Sequence, residues 1–222
     1  MSRLKKKTKN YNSRVELRDG KGKPVKRICV FCGSSPGFGD EYMRSARELG
    51  LALAGKNLAL VYGGGNVGLM GQVAQACLEG GGEVYGVITR QLVDMEVALT
   101  SLKNLEIVES MHERKARMAE MADGFIAMPG GLGTLDEFFE IVTWAQLGLH
   151  KKPCGLLNTA GYFDRLLDFL DVAVEKQFIG DVPRGLILTD KTPDDLLDKF
   201  SVYQHPKIDK GAWARQLMKN SK

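Results

Sequence analysis

The sequence lacks the long apolar segments that mark membrane and secreted proteins. No apolar run reaches the roughly 18 residues of a membrane-spanning helix. No apolar segment follows the basic N-terminus, so a secretory signal is not expected either. The 222 residues, 44% hydrophobic and 26% charged, suit an ordinary globular domain. We therefore expect a soluble protein without membrane contact.

Cysteine is also scarce, and the spacing of one pair is the main hint of redox or metal chemistry. The chain has four cysteines, of which Cys29 and Cys32 form a C-x-x-C pair. The pair lies in a short apolar run, where strand alternation sends residues three apart to opposite faces. A redox pair needs a helix N-terminus instead, and the three histidines are scattered. We expect structural thiols, no metal and no cofactor, and free thiols favour the reducing cytoplasm.

The positive charge of the chain is concentrated at its N-terminus. Residues 1–27 carry eleven Lys and Arg against two Asp and Glu, whereas the remainder carries twenty against twenty-five. Such a basic run is typical of a solvated, disordered arm. Polyanion binding is the alternative, but no nucleic-acid motif accompanies the run, so nucleic acid is not an expected partner. We expect a disordered basic tail over 1–26, one folded domain over 27–203 and a C-terminal extension over 204–222.

Strand and helix patterns alternate from residue 27 onward. Segments with the apolar spacing of a helix lie between most of the short apolar runs. Residues 89–103 fit neither the helix pattern nor the strand pattern. Short apolar strands alternating with helices predict a Rossmann-like α/β fold, a single domain with a doubly wound parallel sheet covered on both faces. Ligands of such folds bind beyond the carboxyl ends of the strands, where three glycine-rich loops are predicted, at 33–37, 63–71 and 130–133. The predicted strands are 27–32, 57–62, 83–88, 105–108, 124–128, 153–157 and 186–188.

The segment PGGLGTLDE, Pro129–Glu137, carries the strongest chemical signal. A predicted strand ends, three glycines turn the chain and a helix begins. Glycines allow close backbone approach, and the start of a helix offers free N–H groups and positive dipole charge. A phosphate is the expected occupant. The segment lacks the third glycine of a dinucleotide fingerprint and the Gly-Lys-Ser/Thr of a P-loop.

Two roles fit Glu137. Thr134-x-x-Glu137 has the spacing of a capping box, and spacing alone favours a helix cap over a catalytic group. The two roles can coexist, because the helix dipole favours the charged form of a carboxylate in the first turn. Beside a phosphate-anchored ribose, such a carboxylate can orient water or stabilise an oxocarbenium-like carbon.

Two further segments hold candidate ligand contacts. Met111–Met118, MHERKARM, has the pattern of a helix with a solvated basic face. Its Arg114 nevertheless suits a bidentate grip on a phosphate or carboxylate. The glycines of Gly63–Gly71 fit close ligand approach and tight helix–strand packing equally well.

Together these segments resemble the Lonely Guy family, the cytokinin-activating phosphoribohydrolases of plants and microbes. The family pattern PGGxGTxxE is complete in Pro129–Glu137, and its Arg-Lys pair matches Arg114 and Lys115. Its Gly-Ser-Ser loop matches Gly33–Ser35, and its second glycine loop matches Gly63–Gly71. The similarity covers the chain from Arg27 to Asp190.

The resemblance implies a homodimeric enzyme that hydrolyses the N-glycosidic bond of cytokinin riboside 5′-monophosphates or AMP, releasing free base and ribose 5-phosphate. It implies that Arg114 and Glu137 are the catalytic pair. Around Glu96 the family context is absent, since Val93-Asp94-Met95 stands there, and the base preference stays open. The substrate-binding positions that the resemblance implies are Gly33, Ser34, Gly64, Gly65, Glu96, Lys115, Gly130, Gly131, Leu132, Gly133, Thr134, Asp136 and Thr143.

Other functions fit the same scaffold. One alternative is a general purine or pyrimidine nucleotide nucleosidase. Another is a non-catalytic nucleotide or cofactor carrier like the related molybdenum-cofactor carriers, although the presence of both Arg114 and Glu137 favours an enzyme. Some relatives carry the label lysine decarboxylase, but the sequence singles out no lysine for a Schiff base with pyridoxal phosphate.

Overall fold

The computed structural model of the chain describes residues 24–95 and 98–208. Within them one seven-stranded sheet has the order β4-β3-β2-β1-β5-β6-β7, and all neighbouring strands are parallel. Every apolar run predicted as a strand forms one, so the predicted parallel α/β sheet is confirmed. The strands are β1 (Arg27–Phe31), β2 (Ala59–Tyr62), β3 (Val84–Thr89), β4 (Asn104–Val108), β5 (Gly124–Ala127), β6 (Cys154–Leu157) and β7 (Ile187–Asp190).

Helices cover both faces of the sheet. Side chains of α1, α2 and α8 form one apolar core with the sheet, and those of α4, α5 and α6 form the other. The segment 89–103, which fitted neither pattern, contains the short helix α3, whose N-cap Thr89 accepts a hydrogen bond from Leu92 N. The helices are α1 (Glu41–Gly55), α2 (Gly68–Glu79), α3 (Arg90–Asp94), α4 (Met111–Met121), α5 (Leu132–Gln146), α6 (Asp164–Glu175), α7 (Asp181–Arg184) and α8 (Pro193–Ser201), with a 3-10 turn at Thr159–Gly161.

The C-x-x-C pair is structural, as predicted. Cys29 lies in the core beneath α4, α5 and α6, and Cys32 lies in the core on the other face. Burial raises the pKa of both thiols, so they stay protonated and unreactive. The pair therefore serves packing, on the two sides of one buried strand.

The sheet reverses its direction of growth between β1 and β5. The chain passes from β1 outward through β2, β3 and β4, and then returns to the other side of β1 as β5. Because the strands are parallel, the loops that follow β1 and β5 meet at one edge of the sheet. This edge is where a ligand crevice is expected.

The ends of the domain differ slightly from the predicted bounds. Val25 is buried, and Asp123 accepts hydrogen bonds from the backbone N–H groups of Lys26 and Arg27. At the other end Ile208 packs against the core beneath α4, α5 and α6. The rest of the predicted tail and of the C-terminal extension lies outside the described residues. No helix in the described ranges has the length and apolarity to cross a membrane.

Candidate active site

Three glycine-rich loops interlock at the carboxyl edge of the sheet. Gly33 N, after β1, donates to Pro129 O, after β5, at 3.0 Å, and Leu69 N at the start of α2 donates to Gly33 O at 3.1 Å. Gly68 has φ +54, and a Cβ there would lie 2.6 Å from Ser35 N. The two loops therefore approach too closely for any side chain at this position. For Gly68 the packing role of glycine is the one that the structure supports.

The N-terminus of α5 is open to this crevice and has no side-chain cap. Gly131 is the N-cap, and no side chain caps the helix. The N–H groups of the first helical turn have no acceptor within a helix, and the helix dipole adds positive charge there. A Cβ at Gly131 or Gly133 would meet no atom within 4 Å, and Leu132 between them is 88% exposed. This position has the space, the donors and the field that a phosphate group needs.

Arg114 and Glu137 form a buried ion pair beside this loop. Arg114, on α4, is buried and donates from Nη1 to Glu137 Oε1 at 3.0 Å. Its Nε donates to Val87 O at 3.0 Å and its Nη2 to Gly63 O at 3.3 Å. The ends of β2 and β3 thus hold the guanidinium, and the guanidinium holds the carboxylate. The predicted solvated basic face is wrong for Arg114, because the helix turns this residue inward over the sheet.

Burial changes the acid–base behaviour of Glu137. Its side chain is 12% exposed. Burial raises the pKa of its carboxyl above the ordinary value, the Arg114 charge opposes this, and the charge of Asp136 adds to it. A raised pKa makes the carboxylate a better proton acceptor than a solvated glutamate. Its Oε2 makes no hydrogen bond within the described part of the chain and is available to water or a ligand.

The capping interpretation of Glu137 is wrong. The helix begins at Leu132, two residues before Thr134, so Thr134 is already helical and its side chain caps nothing. A capping arrangement forms instead at α4, where Ser110 Oγ accepts from Glu113 N at 3.1 Å and Glu113 accepts from Glu109 N at 3.0 Å. Glu137 therefore has no capping role, and its carboxylate is available to Arg114 and to the crevice.

The sequence matches known proteins over most of its length. Residues 70–200 match a family model described as possible lysine decarboxylase. A probable cytokinin riboside 5′-monophosphate phosphoribohydrolase of Oryza sativa subsp. japonica is 48% identical over 196 residues, 87% of this chain and 78% of that protein. A cytokinin riboside 5′-monophosphate phosphoribohydrolase of Arabidopsis thaliana is 48% identical over 191 residues, 85% of this chain and 90% of that protein. The chain belongs to the Lonely Guy family.

Solved structures with a similar fold have lower sequence identity. The molybdenum cofactor binding protein of Rippkaea orientalis has a TM-score of 0.59 and 22% identity, covering 78% of this chain and 94% of that chain. The molybdenum cofactor carrier protein of Chlamydomonas reinhardtii has a TM-score of 0.57 and 20% identity, with the same coverage of both chains. At such identities the likeness supports the Rossmann-like fold of this Lonely Guy protein and nothing beyond it.

Two of the expected substrate contacts pair with each other. Lys115 Nζ lies 3.1 Å from Asp136 Oδ2 and 3.1 Å from Glu140 Oε2. Partial burial lowers the pKa of Lys115, but the two carboxylates outweigh it, and the net pKa is raised. These contacts tie α4 to α5 next to the Arg114–Glu137 pair. The predicted solvated face is therefore wrong for Lys115 too, whose side chain is only 14% exposed.

The remaining expected positions lie on separate segments of the chain. Ser34 is exposed on the loop after β1, close to the start of α2. Gly64 has φ +74 and accepts a hydrogen bond from Leu99 N, and Gly65 bridges Ala98. Thr143 is exposed and lies further along α5. Glu96 lies outside the described residues.

Sequence reasoning missed one site contact, from Tyr162. This residue follows β6, the neighbour of β5, so its loop lies at the same carboxyl edge as the glycine loops. Its hydroxyl donates to Gly130 O at 2.8 Å. The edge rule for parallel sheets could have drawn attention to the loop after β6.

Proposed function

We propose that this Lonely Guy protein hydrolyses the N-glycosidic bond of cytokinin riboside 5′-monophosphates. Water adds to C1′ of the ribose, the C1′–N bond breaks, and the base leaves with a proton, giving free base and ribose 5-phosphate. The observation that carries this proposal is the buried Arg114–Glu137 pair, 3.0 Å apart, beside the anion-binding start of α5. The substrate class follows from the names of the relatives with 48% identity.

Each part of the site has a task in this reaction. The phosphate binds the free N–H groups of α5 and anchors the ribose, which converts remote binding energy into orientation. Glu137 faces the anomeric carbon, where it stabilises developing positive charge and accepts a proton from the attacking water. Arg114 orients the carboxylate through Nη1 while the carbonyls of Val87 and Gly63 hold its other nitrogens.

A lysine decarboxylase activity is not supported by these side chains. A Schiff-base lysine needs a lowered pKa so that its amine is neutral. Lys115, next to Arg114, has a raised pKa and is paired with two carboxylates.

Product analysis tests the proposal. Purified protein is incubated with isopentenyladenosine monophosphate or AMP, and free base is measured for the wild type and Glu137→Gln. We expect base from the wild type and at least a hundredfold less from the variant, because the amide is neutral and cannot accept the proton, a loss of the order of several kcal/mol. Glu175→Gln, the same change at an exposed position on α6, is the control.

The substrate panel also separates the alternatives. Comparable turnover of ordinary purine and pyrimidine monophosphates would make the protein a general nucleotide nucleosidase. Tight nucleotide binding with no release of base from any substrate would contradict hydrolysis. It would favour the alternative that the protein is a non-catalytic nucleotide or cofactor carrier. Equal turnover of adenosine and AMP would contradict the anchoring role of the phosphate.

We propose in addition that the active form is a homodimer. Thr143, an expected substrate contact, lies six residues beyond Glu137 on α5. Six residues advance a helix by about 9 Å and rotate it by about 240°, so the two side chains face different directions. Within one chain Thr143 is therefore directed away from a substrate bound at Glu137, and a partner chain is the better source of this contact.

Mixing variants tests this arrangement. Glu137→Gln and Thr143→Arg are each expected to be inactive alone. After subunit exchange, half of the dimers carry one intact site of two, so about a quarter of the wild-type activity should return. Glu137→Gln mixed with Arg114→Gln should recover nothing, because both sites stay defective. A light-scattering mass equal to the 24.4 kDa chain would contradict the dimer.

We propose as well that the protein works in the cytoplasm. All four cysteines are buried and free of disulfides, which suits a reducing compartment. Recovery of the tagged protein in a secreted fraction would contradict this placement.

A further inference from the structure

A short turn after β6 is built to present the Tyr162 side chain to the anion-binding loop. Both the oxygen and the nitrogen of the Asn158 side-chain amide make hydrogen bonds within this turn. Its Oδ1 accepts from Phe163 N at 2.7 Å, and its Nδ2 donates to Asp164 Oδ1 at 2.7 Å. Ala160, inside the 3-10 turn, has φ +53, a left-handed conformation that costs a non-glycine residue free energy. The hydrogen bonds of Asn158 stabilise this turn and fix where Tyr162 points.

The aromatic ring of Tyr162 is held between two others. Its centroid lies 5.0 Å from that of Phe163 and 5.9 Å from that of Tyr42, both edge-on. Phe163 is buried in the core, whereas Tyr162 is 46% exposed. The ring therefore has a fixed direction although it lies at the surface, and the hydroxyl is carried to Gly130 O at 2.8 Å.

This hydrogen bond acts on a peptide unit that ends at the N-cap of α5. In a trans peptide the C=O of one residue and the N–H of the next point in opposite directions. A hydrogen bond that draws Gly130 O toward Tyr162 therefore turns Gly131 N–H away from Tyr162. Gly130 itself is confined, since a Cβ there would lie 2.8 Å from Gly33 N. Gly131 has open space around it and extended backbone, so its peptide needs an external restraint.

We propose that Tyr162 is a positioning residue that orients the Gly130–Gly131 peptide so that Gly131 N–H joins the N–H groups of the α5 terminus in binding the substrate phosphate. The hydroxyl acts through the backbone and touches no reacting atom. This inference rests on the proposed phosphate anchoring at α5. The Tyr162 hydroxyl is therefore expected to affect the affinity for the phosphate group and for no other part of the substrate.

Binding measurements on Tyr162→Phe test the role. The phenylalanine keeps the ring and its edge contacts and removes only the hydroxyl. Dissociation constants of AMP and of adenosine are measured by calorimetry in the Glu137→Gln background, so that no turnover interferes. We expect AMP to bind about three- to tenfold more weakly, the loss of one net hydrogen bond, with adenosine unchanged. Tyr42→Phe removes a hydroxyl from the adjoining ring and is expected to leave both constants unchanged.

The outcomes separate this proposal from the proposed reaction. Equal weakening of AMP and adenosine, unchanged AMP affinity with a lower melting temperature, or no saturable AMP binding by the parent protein would each overturn the role of Tyr162. Absence of base release with selective loss of AMP affinity in Tyr162→Phe would overturn the hydrolase and leave Tyr162 in place. The same selective loss of AMP affinity in Tyr42→Phe would show that the packing of the aromatic rings controls this affinity. That result would contradict the proposed role of the Tyr162 hydroxyl.

Discussion

Arg114 uses most of its hydrogen-bonding capacity on the protein. A guanidinium has five N–H donors in a rigid fork. Three of them are directed at Val87 O, Gly63 O and Glu137 Oε1. Gly63 has to be glycine, because a Cβ there would collide with the guanidinium. The arginine is thus chiefly a fixed scaffold for the Glu137 carboxylate, and its remaining donors are few.

The raised pKa of Glu137 predicts where activity falls on acidification. Because burial raises its pKa, the carboxylate is protonated at a higher pH than an ordinary glutamate. The acid limb of kcat/KM should accordingly lie above the ordinary value of 4.5. Asp136→Asn removes a charge that raises this pKa and should move the limb to lower pH, by less than about one unit because Asp136 is 64% exposed and screened.

A pH–rate profile of the wild type, Asp136→Asn and Asp168→Asn checks this. Asp168 is an exposed carboxylate on α6 and serves as the control. A limb that moves to higher pH in Asp136→Asn, or equally in both variants, would contradict the electrostatic explanation.

At single positions the sequence indicated which side chains belong to the candidate site better than it indicated how they are packed. The segment Pro129–Glu137 and the residue Arg114 were singled out from their motifs, and the structure brings Arg114 and Glu137 together as an ion pair. The phosphate site and the catalytic roles of the pair stay predictions. The cap at Thr134 was wrong because a capping box is defined by spacing, and Thr134-x-x-Glu137 has that spacing without being a helix start. The burial of Arg114 depends on carbonyl groups from β2 and β3, and no local pattern encodes such long-range contacts.

Among the elements, the strands were the most predictable part. Buried parallel strands are continuously apolar, and all seven runs became strands. The region 89–103 stayed undetermined because its helix has only five residues, too few for a helical periodicity to show. The contacts between the loops depend on the order of the strands in the sheet. The sequence indicates where these loops meet only through the rule that ligand crevices lie at topological switch points.

Two neighbouring glycines in the loop after β5 should differ in how the same substitution affects the stability of the protein. Gly130→Ala puts a Cβ 2.8 Å from Gly33 N and against the Thr134 side chain, so it should lower the free energy of unfolding by about 1–3 kcal/mol, the usual cost of overpacking. Gly131→Ala meets no atom within 4 Å and should unfold like the wild type.

Urea denaturation of both variants measures the difference. AMP affinity should fall in Gly131→Ala as well, because the added methyl group occupies space that the phosphate needs. Equal stability of Gly130→Ala and Gly131→Ala would contradict the close contact between the loops after β1 and β5.

For the whole molecule, the positive charge is concentrated in the N-terminal segment. Residues 1–23 hold nine Lys and Arg and two Asp and Glu, so a chain that starts at Pro24 changes from a formal charge of +4 to −3. All site contacts described above come from residues 33 to 162, and Val25 is already in the core. The deletion therefore removes charge and leaves the site groups intact.

We expect the shortened chain to retain kcat/KM for AMP within about twofold at physiological salt, where distant charges are screened. Steady-state kinetics of the two chains at about 0.15 M salt measure this. A loss of more than about tenfold would show that the basic segment takes part in substrate binding.

The hydrogen bond from Gly33 N to Pro129 O has a consequence for the order of events during synthesis. It joins loops that are far apart in the chain, and Glu137 follows only after the second loop. A growing chain on the ribosome therefore has β1 through β4 and Arg114 before the loop after β5 has been synthesised. The proposed phosphate position at α5 is complete only after β5 has paired with β1, so a nucleotide bound there could not assist the folding of the strands that come before β5.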